Sequence, residues 1–214
     1  MHFYMKKKVS IISVFLFGLG IFCNAQRTDW AVSHGGWIGD ASRMSKVDNA
    51  GNIVIGVYVS PGVQIGDYHS GDSGSQVVVK YDSEGNLIWS YAPQAGLGLT
   101  DIAVDCENNI YIIGSYNYWT GSANDLQLST EDYTYMMKLT SDGEFVWVKT
   151  FHNSELRSVF INNDGNIFIT GHFIDNMTIG SVTLVSQGDY ADFFVARLDG
   201  QGNSIWAKSG GGLS

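Results

Sequence analysis

Several residue groups in this 214-residue sequence are of the types that do chemistry. Ser73, within Gly71-Asp72-Ser73-Gly74, is a glycine-flanked hydroxyl of the kind that serves as a nucleophile. Such a serine needs a histidine base and an acid that orients it, and geometry rather than a tetrapeptide defines that trio. His34, His69, His152 and His172 stand scattered, in contexts that supply no such pair, and they read as local polar residues. The run around Ser73 therefore reads as a flexible, glycine-rich loop. Stretches such as Asp48-Asn49-Ala50-Gly51-Asn52 offer oxygen ligands of the sort calcium takes. That stretch holds one carboxylate and no closing Glu, which fits a tight turn better. Cys106 is the single cysteine after residue 25 and has no histidine or basic group near it. It forms no intramolecular disulfide, gives no zinc spacing and reads as a small turn residue.

The remaining candidates are aromatic. Tyr118 and Trp119 stand in the loop from Ser115 to Asp125, with Trp37 and the group Asp67-Tyr68-His69 as weaker counterparts. Aromatic rings give a sugar or peptide a large contact area at little entropic cost. Packing against a neighbouring element accounts for them more simply. No catalytic residue, metal site or cofactor motif can be read from the sequence.

The elements that must position these groups come from a repeat. Trp30, Trp89, Trp147 and Trp206 are separated by 59, 58 and 59 residues. Lys80, Lys138 and Arg197 each precede a tryptophan by nine residues, and Gly85, Gly143 and Gly202 by four. A second phrase, closed by Asn52, Asn109 and Asn166, recurs every 57 residues and leads to Gly56, Gly114 and Gly171. The first copy reaches its glycine one residue sooner. Stretches such as Asn109–Tyr116 and Glu144–Phe151 are rich in β-branched and aromatic residues, and Asp, Asn and Gly mark tight turns between them. A repeat of nearly 60 residues with four strands has the size of a propeller blade.

The expected fold is therefore all-β and β-propeller-like, with three four-stranded antiparallel blades in an incomplete, open propeller. The expected divisions are a signal peptide at 1–25, a lone strand and link at 26–37, blades at 38–92, 93–151 and 152–209, and an inter-blade link at 210–214. In the middle blade the strands are expected near Asp101–Val104, Ile110–Tyr116, Thr134–Leu139 and Glu144–Phe151. Trp89, Trp147 and Trp206 are expected on successive last strands, mostly buried between blades. Trp30 is expected on a strand of the same type.

The first segment reads as a targeting signal. Lys6, Lys7 and Lys8 precede an apolar run from Val9 to Phe22, and Cys23-Asn24-Ala25 offers small residues for cleavage after Ala25. A start at Met5 gives the more usual signal length. Phe22 argues against lipidation of Cys23. This implies export to the periplasm, the outer cell surface or the medium, with no membrane span after cleavage. The chain after residue 25 keeps 9 of the 12 basic residues against 21 acidic ones, a formal charge of −12. That balance disfavours nucleic acid and anionic membranes as partners.

The phrases "VDNAGNIVI", "GNIFITGHF" and "TLVSQGDYADFFVARLDGQGNSIWAKSGGG" resemble the bacterial SBBP repeat family, whose name stands for seven-bladed β-propeller repeat. The third copy carries the resemblance best, and together the copies cover nearly all of the chain after residue 29. The resemblance implies a secreted or surface protein, often of Bacteroidota and relatives, and brings no catalytic residues. The expected function is a non-catalytic binding or scaffold module for a glycan or protein ligand. The alternative is part of a propeller-type polysaccharide hydrolase or lyase. The strand count around Trp30 and the ending "SGGGLS" predict a piece of a larger propeller, whose open faces would meet further blades or another copy.

Overall fold

The structure, a computed structural model, describes residues 31, 33, 39–72, 74–93, 97–116 and 132–212. Blade 1 comprises β1 (Ala41–Val47), β2 (Ile53–Val59), β5 (Ser75–Tyr81) and β6 (Leu87–Tyr91), hydrogen-bonded in that order. Blade 2 comprises β7 (Leu97–Val104), β8 (Ile110–Tyr116), β9 (Asp132–Leu139) and β10 (Phe145–His152), again in chain order. Blade 3 comprises β11 (Ser154–Ile161), β12 (Ile167–Phe173), β15 (Asp192–Leu198) and β16 (Ser204–Gly210). All three are antiparallel meanders, and no helix occurs among the described residues. Among the described residues, two small hairpins are inserted between second and third strands: β3 (Gln64–Ile65) with β4 (Tyr68–His69) in blade 1, and β13 (Asn176–Ile179) with β14 (Val182–Val185) in blade 3. The extensive strand contacts run from blade 1 to blade 2 and from blade 2 to blade 3. The architecture is an open, propeller-like fan of three blades.

The strands form because both faces of the middle blade are apolar. Ile110 and Ile112 pack on Val54, Val78 and Trp89 of blade 1, while Tyr111 and Ile113 pack on Ile167, Ile169 and Phe194 of blade 3. All four residues of this run are buried. A side chain of that size contributes on the order of 1.5–3 kcal/mol by leaving water. β1, β7 and β11 each carry a bulge at the same repeat position, at Arg43, Thr100 and Arg157. At the second junction the bulges interlock: Asp101 Oδ2 accepts hydrogen bonds from Ser158 Oγ at 2.9 Å and from Val159 N at 3.0 Å.

One end of every blade is built from the same five-residue turn. In Asp48–Asn52, Asp82–Asn86, Asp105–Asn109, Thr140–Glu144, Asn162–Asn166 and Asp199–Asn203 the first N–H donates to the last carbonyl, and the fourth N–H donates to the first carbonyl. The first side chain also accepts from the backbone N–H groups two and four residues on, as Asp199 Oδ1 does from Gln201 and Asn203. The fourth residue has positive φ in all six, from 66° at Asn108 to 87° at Gly85. This is the type I turn with a left-handed closing residue that a three-residue hairpin loop favours.

The glycine that arrives one residue early in the first copy proves to lie on the other face. Gly114 pairs with Tyr135 and Gly171 with Phe194, so each glycine leaves room for an aromatic ring on the face toward the preceding blade. In blade 1 Val57 holds that position opposite Val77, and Gly56 faces blade 2 beneath Met44 and Ile102. Because side chains alternate, a slip of one residue changes the face. Two valines replace a glycine and a ring.

Candidate functional site

The strand ends opposite the six turns differ from blade to blade. There a cleft of about 500 Å3 opens between blades 2 and 3. Ser115 at the end of β8 and Thr134 near the start of β9 form one wall. Ser154 and Glu155 on β11, His172 on β12, Asn153 in the β10–β11 link, and Ile174 and Asp175 in the β12–β13 link form the rest.

The backbone register of β11 and β12 places Glu155 directly across from His172, and their side chains meet with His172 Nε2 3.1 Å from Glu155 Oε2. Arg157 Nη2 lies 3.0 Å from Glu155 Oε1. Both partners are largely solvated, so this pair orients Glu155 more than it stabilises the sheet. Below them the buried hydroxyls of Thr134 and Ser154 lie 3.2 Å apart and join the two blades. Asn153 and Asp175 hold left-handed backbones, with φ of 52° and 60°. These conformations are uncommon outside glycine, although Asn and Asp tolerate them best. Asn153 ties the rim together: its carbonyl accepts from Ile174 N at 2.9 Å, and its side-chain amide donates to the Asn176 carbonyl. The cleft thus presents carboxylates, an imidazole, an amide and hydroxyls beside an exposed Ile174. It can exchange hydrogen bonds with a hydroxyl- or amide-bearing ligand while an apolar edge rests on Ile174. Among the described residues no group of three or more His, Cys, Asp or Glu side chains could hold a metal ion.

The residues singled out from the sequence divide into two sets. Trp30, Trp37, Tyr118 and Trp119 lie outside the described residues. Trp89, Trp147 and Trp206 stand at equivalent places on the last strands β6, β10 and β16. Each keeps some exposure, and none belongs to the fully buried core. Gly85, Gly143 and Gly202 close the last turn of each blade with positive φ. The tryptophans lie on the glycine of the next blade: a methyl group at Gly143 would come 2.8 Å from the Trp89 ring, and one at Gly202 would come 3.2 Å from Trp147. Asn52, Asn109 and Asn166 close the first turns, where Asn52 Nδ2 donates to Asp48 Oδ2 and Asn109 Nδ2 to Asp105 Oδ2. Gly71, Asp72 and Gly74 lie in the turn segment ahead of β5, and Ser73 lies outside the described residues. Cys106 is an exposed turn residue.

The repeated basic residue is buried in blade 1 and half-buried in blades 2 and 3. Lys80 Nζ lies 2.9 Å from Asp48 Oδ2, with side-chain exposures of only 5% and 0%. It also donates to the Ser141 carbonyl of blade 2, which Trp89 Nε1 reaches as well. Burial raises the Asp48 carboxyl pKa, but hydrogen bonds from Lys80 and Asn52 outweigh it and hold the group below the usual range. In blade 2 the corresponding pair, Lys138 and Asp105, is looser at 3.7 Å, and Lys138 lies over the Tyr111 ring. In blade 3 the acid is replaced by Asn162, and Arg197 instead donates to Asn166 Oδ1.

Sequence reasoning missed Glu155, His172, Asp175 and Asn153 as a group. The signal was present in the repeat: Glu155 and His172 stand where blade 2 has Gly98 and Ser115. Searching strand ends for departures from the repeat, and not loops alone, would have found the pair.

No protein-family model and no curated protein matches this chain. Among solved structures, it is similar to a protein of unknown function from Bacteroides caccae (12% identity, TM-score 0.41, covering 79% of this chain and 61% of that one). It is also similar to an ACO/RPE65 chimera (13%, TM-score 0.43, covering 80% and 39%). A third likeness is to a mutant of the Synechocystis apocarotenoid oxygenase (13%, TM-score 0.40, covering 78% and 38%). The chain spans less than two thirds of each.

Proposed function

We propose that this chain is a non-catalytic binding or scaffold module of a secreted or surface-exposed protein, built from blades of the SBBP kind. The cleft between blades 2 and 3 carries this reading. It is open, lined mainly by residues with polar side chains and sited where the blades differ, on a framework whose other end is uniform. Rigid sheets that carry variable connecting segments are the usual way to hold a binding surface. Its carboxylates, amide and imidazole suit a glycan or a peptide. The formal charge of −12 after residue 25 speaks against a polyanion. The test is an array of glycans and peptides probed with residues 26–214. Retention without turnover is expected, and Glu155→Gln is expected to weaken it by roughly tenfold, as for loss of a charged hydrogen bond. Retention of nothing on the array would sink the reading.

A second reading has one observation in its favour. Glu155 and Asp175 line the same cleft, and glycoside hydrolysis uses a pair of carboxylates. Release of product from a polysaccharide, abolished by Glu155→Gln or Asp175→Asn, would replace the binding reading with a hydrolase or lyase.

A further inference from the structure

The hydrogen bonds already made in the cleft between blades 2 and 3 leave it short of protons to give. Thr134 Oγ1 donates to the Phe151 carbonyl at 3.3 Å, so Ser154 Oγ is the donor in the 3.2 Å contact between the two hydroxyls. Both hydroxyl protons are thus spent inside the protein. His172 Nε2 gives its proton to Glu155 Oε2, and a neutral imidazole has only that one. Asn153 gives one amide proton to the Asn176 carbonyl. What the lining side chains can still give is the Ser115 hydroxyl proton and the second amide proton of Asn153.

Acceptors are more plentiful. Glu155 accepts once at each oxygen, from Arg157 Nη2 at 3.0 Å and from His172 Nε2 at 3.1 Å, and each oxygen keeps a second lone pair. Asp175 is exposed in the β12–β13 link, and its carboxylate has no donor among the described residues. A carboxylate offers about four acceptor positions, so the two together keep about six. Beside them Ile174 is 48% exposed.

That balance selects among ligands. A peptide backbone brings one carbonyl for every N–H, and its carbonyls would face Glu155 and Asp175 without a proton between them. A uronate or sulfate would set like charge against both carboxylates. An ammonium at Glu155 would meet Arg157, which already answers that charge. A sugar hydroxyl donates without bringing charge, and two adjacent hydroxyls offer one proton to each oxygen of a carboxylate. We infer that the cleft takes a neutral glycan whose adjacent free hydroxyls donate to Glu155 and Asp175 while an apolar C–H face of the sugar ring rests on Ile174. This narrows the binding reading above and rests on it.

Calorimetric titration of the protein tests this. The probes are glucose, mannose and galactose oligosaccharides, their deoxyfluoro analogues, a uronic acid oligosaccharide, a glucosamine oligosaccharide and a set of peptides. At least one neutral oligosaccharide is expected to bind. Its deoxyfluoro analogues, in which fluorine keeps the size but has no proton to give, are expected to bind roughly tenfold more weakly. Asp175→Asn suits the φ of 60°, so its melting temperature is expected to match that of the unaltered protein. The variant is expected to bind the neutral sugar several-fold more weakly and to narrow the gap between that sugar and the uronate. Tighter binding of a peptide, the uronate or the glucosamine oligosaccharide than of any neutral sugar overturns the inference and leaves the binding reading standing. So does a set of fluoro analogues that all bind as well as the parent, or a gap that Asp175→Asn leaves unchanged. Binding of none of the probes overturns both.

Discussion

The two ends of the blades differ. At one end, six turns repeat a single hydrogen-bond pattern over three blades, with Thr140 or Asn162 serving where Asp stands elsewhere. At the other end, blade 1 inserts a hairpin of two-residue strands and blade 3 one of four-residue strands. Glu155 and His172 there replace Gly98 and Ser115. The uniform end holds the blades in register, because its turns also make the contacts between blades. Asn49, for example, donates from its amide to the Cys106 carbonyl across the first junction. At the variable end the contacts between blades differ from junction to junction, with Leu99 N donating to Gln76 at the first and Thr134 meeting Ser154 at the second, and so a cleft of distinctive composition can form there.

The largest expected effect at the uniform end is at Lys80. Lys80→Ala leaves Asp48 buried without its cation and removes one donor from Ser141, and should cost about 3–5 kcal/mol in urea unfolding. Lys138→Ala, at the looser and more exposed pair, should cost clearly less. Equal losses would mean that burial does not set the strength of these pairs.

Gly143→Ala should come next. It combines a φ of 84° with a methyl group 2.8 Å from the Trp89 ring. Gly165 has a φ of 76° in the same turn type, with nothing within 4 Å. Gly165→Ala should cost only the left-handed penalty of about 1–2 kcal/mol, and Gly143→Ala that amount plus the clash. If the two variants unfold alike, the turn glycines serve the turn alone and not the junction.

Acid should act on the uniform end as well. The Asp82 carboxyl is lowered chiefly by the Asn86 side chain, and that of Asp199 chiefly by the Asn203 backbone N–H. At Asp48 burial opposes the lowering, and Lys80 and Asn52 prevail. Groups lowered on folding stabilise the fold fully above the unfolded carboxylate pKa of about 4, and that stability is lost as pH falls through their folded values. Midpoints measured from pH 7 down to pH 2 should therefore hold until about pH 4 and then drop. A midpoint that rises below pH 4 would contradict the assigned direction.

The smallest expected effect on stability is at the variable end. Glu155→Gln should change the unfolding free energy by no more than about 0.5 kcal/mol, since its partners are solvated. A loss comparable with that of Lys80→Ala would make the cleft part of the framework and erase the contrast between the ends.

Much of the uniform end was legible in the sequence. Asp or Asn followed by Gly and Asn specifies a turn whose hydrogen bonds all close within five residues, so local composition suffices. The period of the tryptophans gave the blade count, and the observed strands of blade 2 lie within a few residues of those expected. The place of Gly56 was not legible, because the face a residue occupies depends on strand pairing and not on its distance from a motif.

The sequence by itself determined the repeat, the three blades, their turns and the tryptophan on each last strand. Tertiary structure alone decided which groups meet across blades. Lys80 reaches a carbonyl 61 positions away, and the hydroxyls of Thr134 and Ser154 meet only where blade 3 folds back on blade 2. The cleft exists because strand ends brought side by side by the packing of two sheets leave a gap that neither blade has alone. A turn is fixed by neighbours along the chain, whereas a site between blades is fixed by how buried faces fit, and that fit is a property of the assembled core.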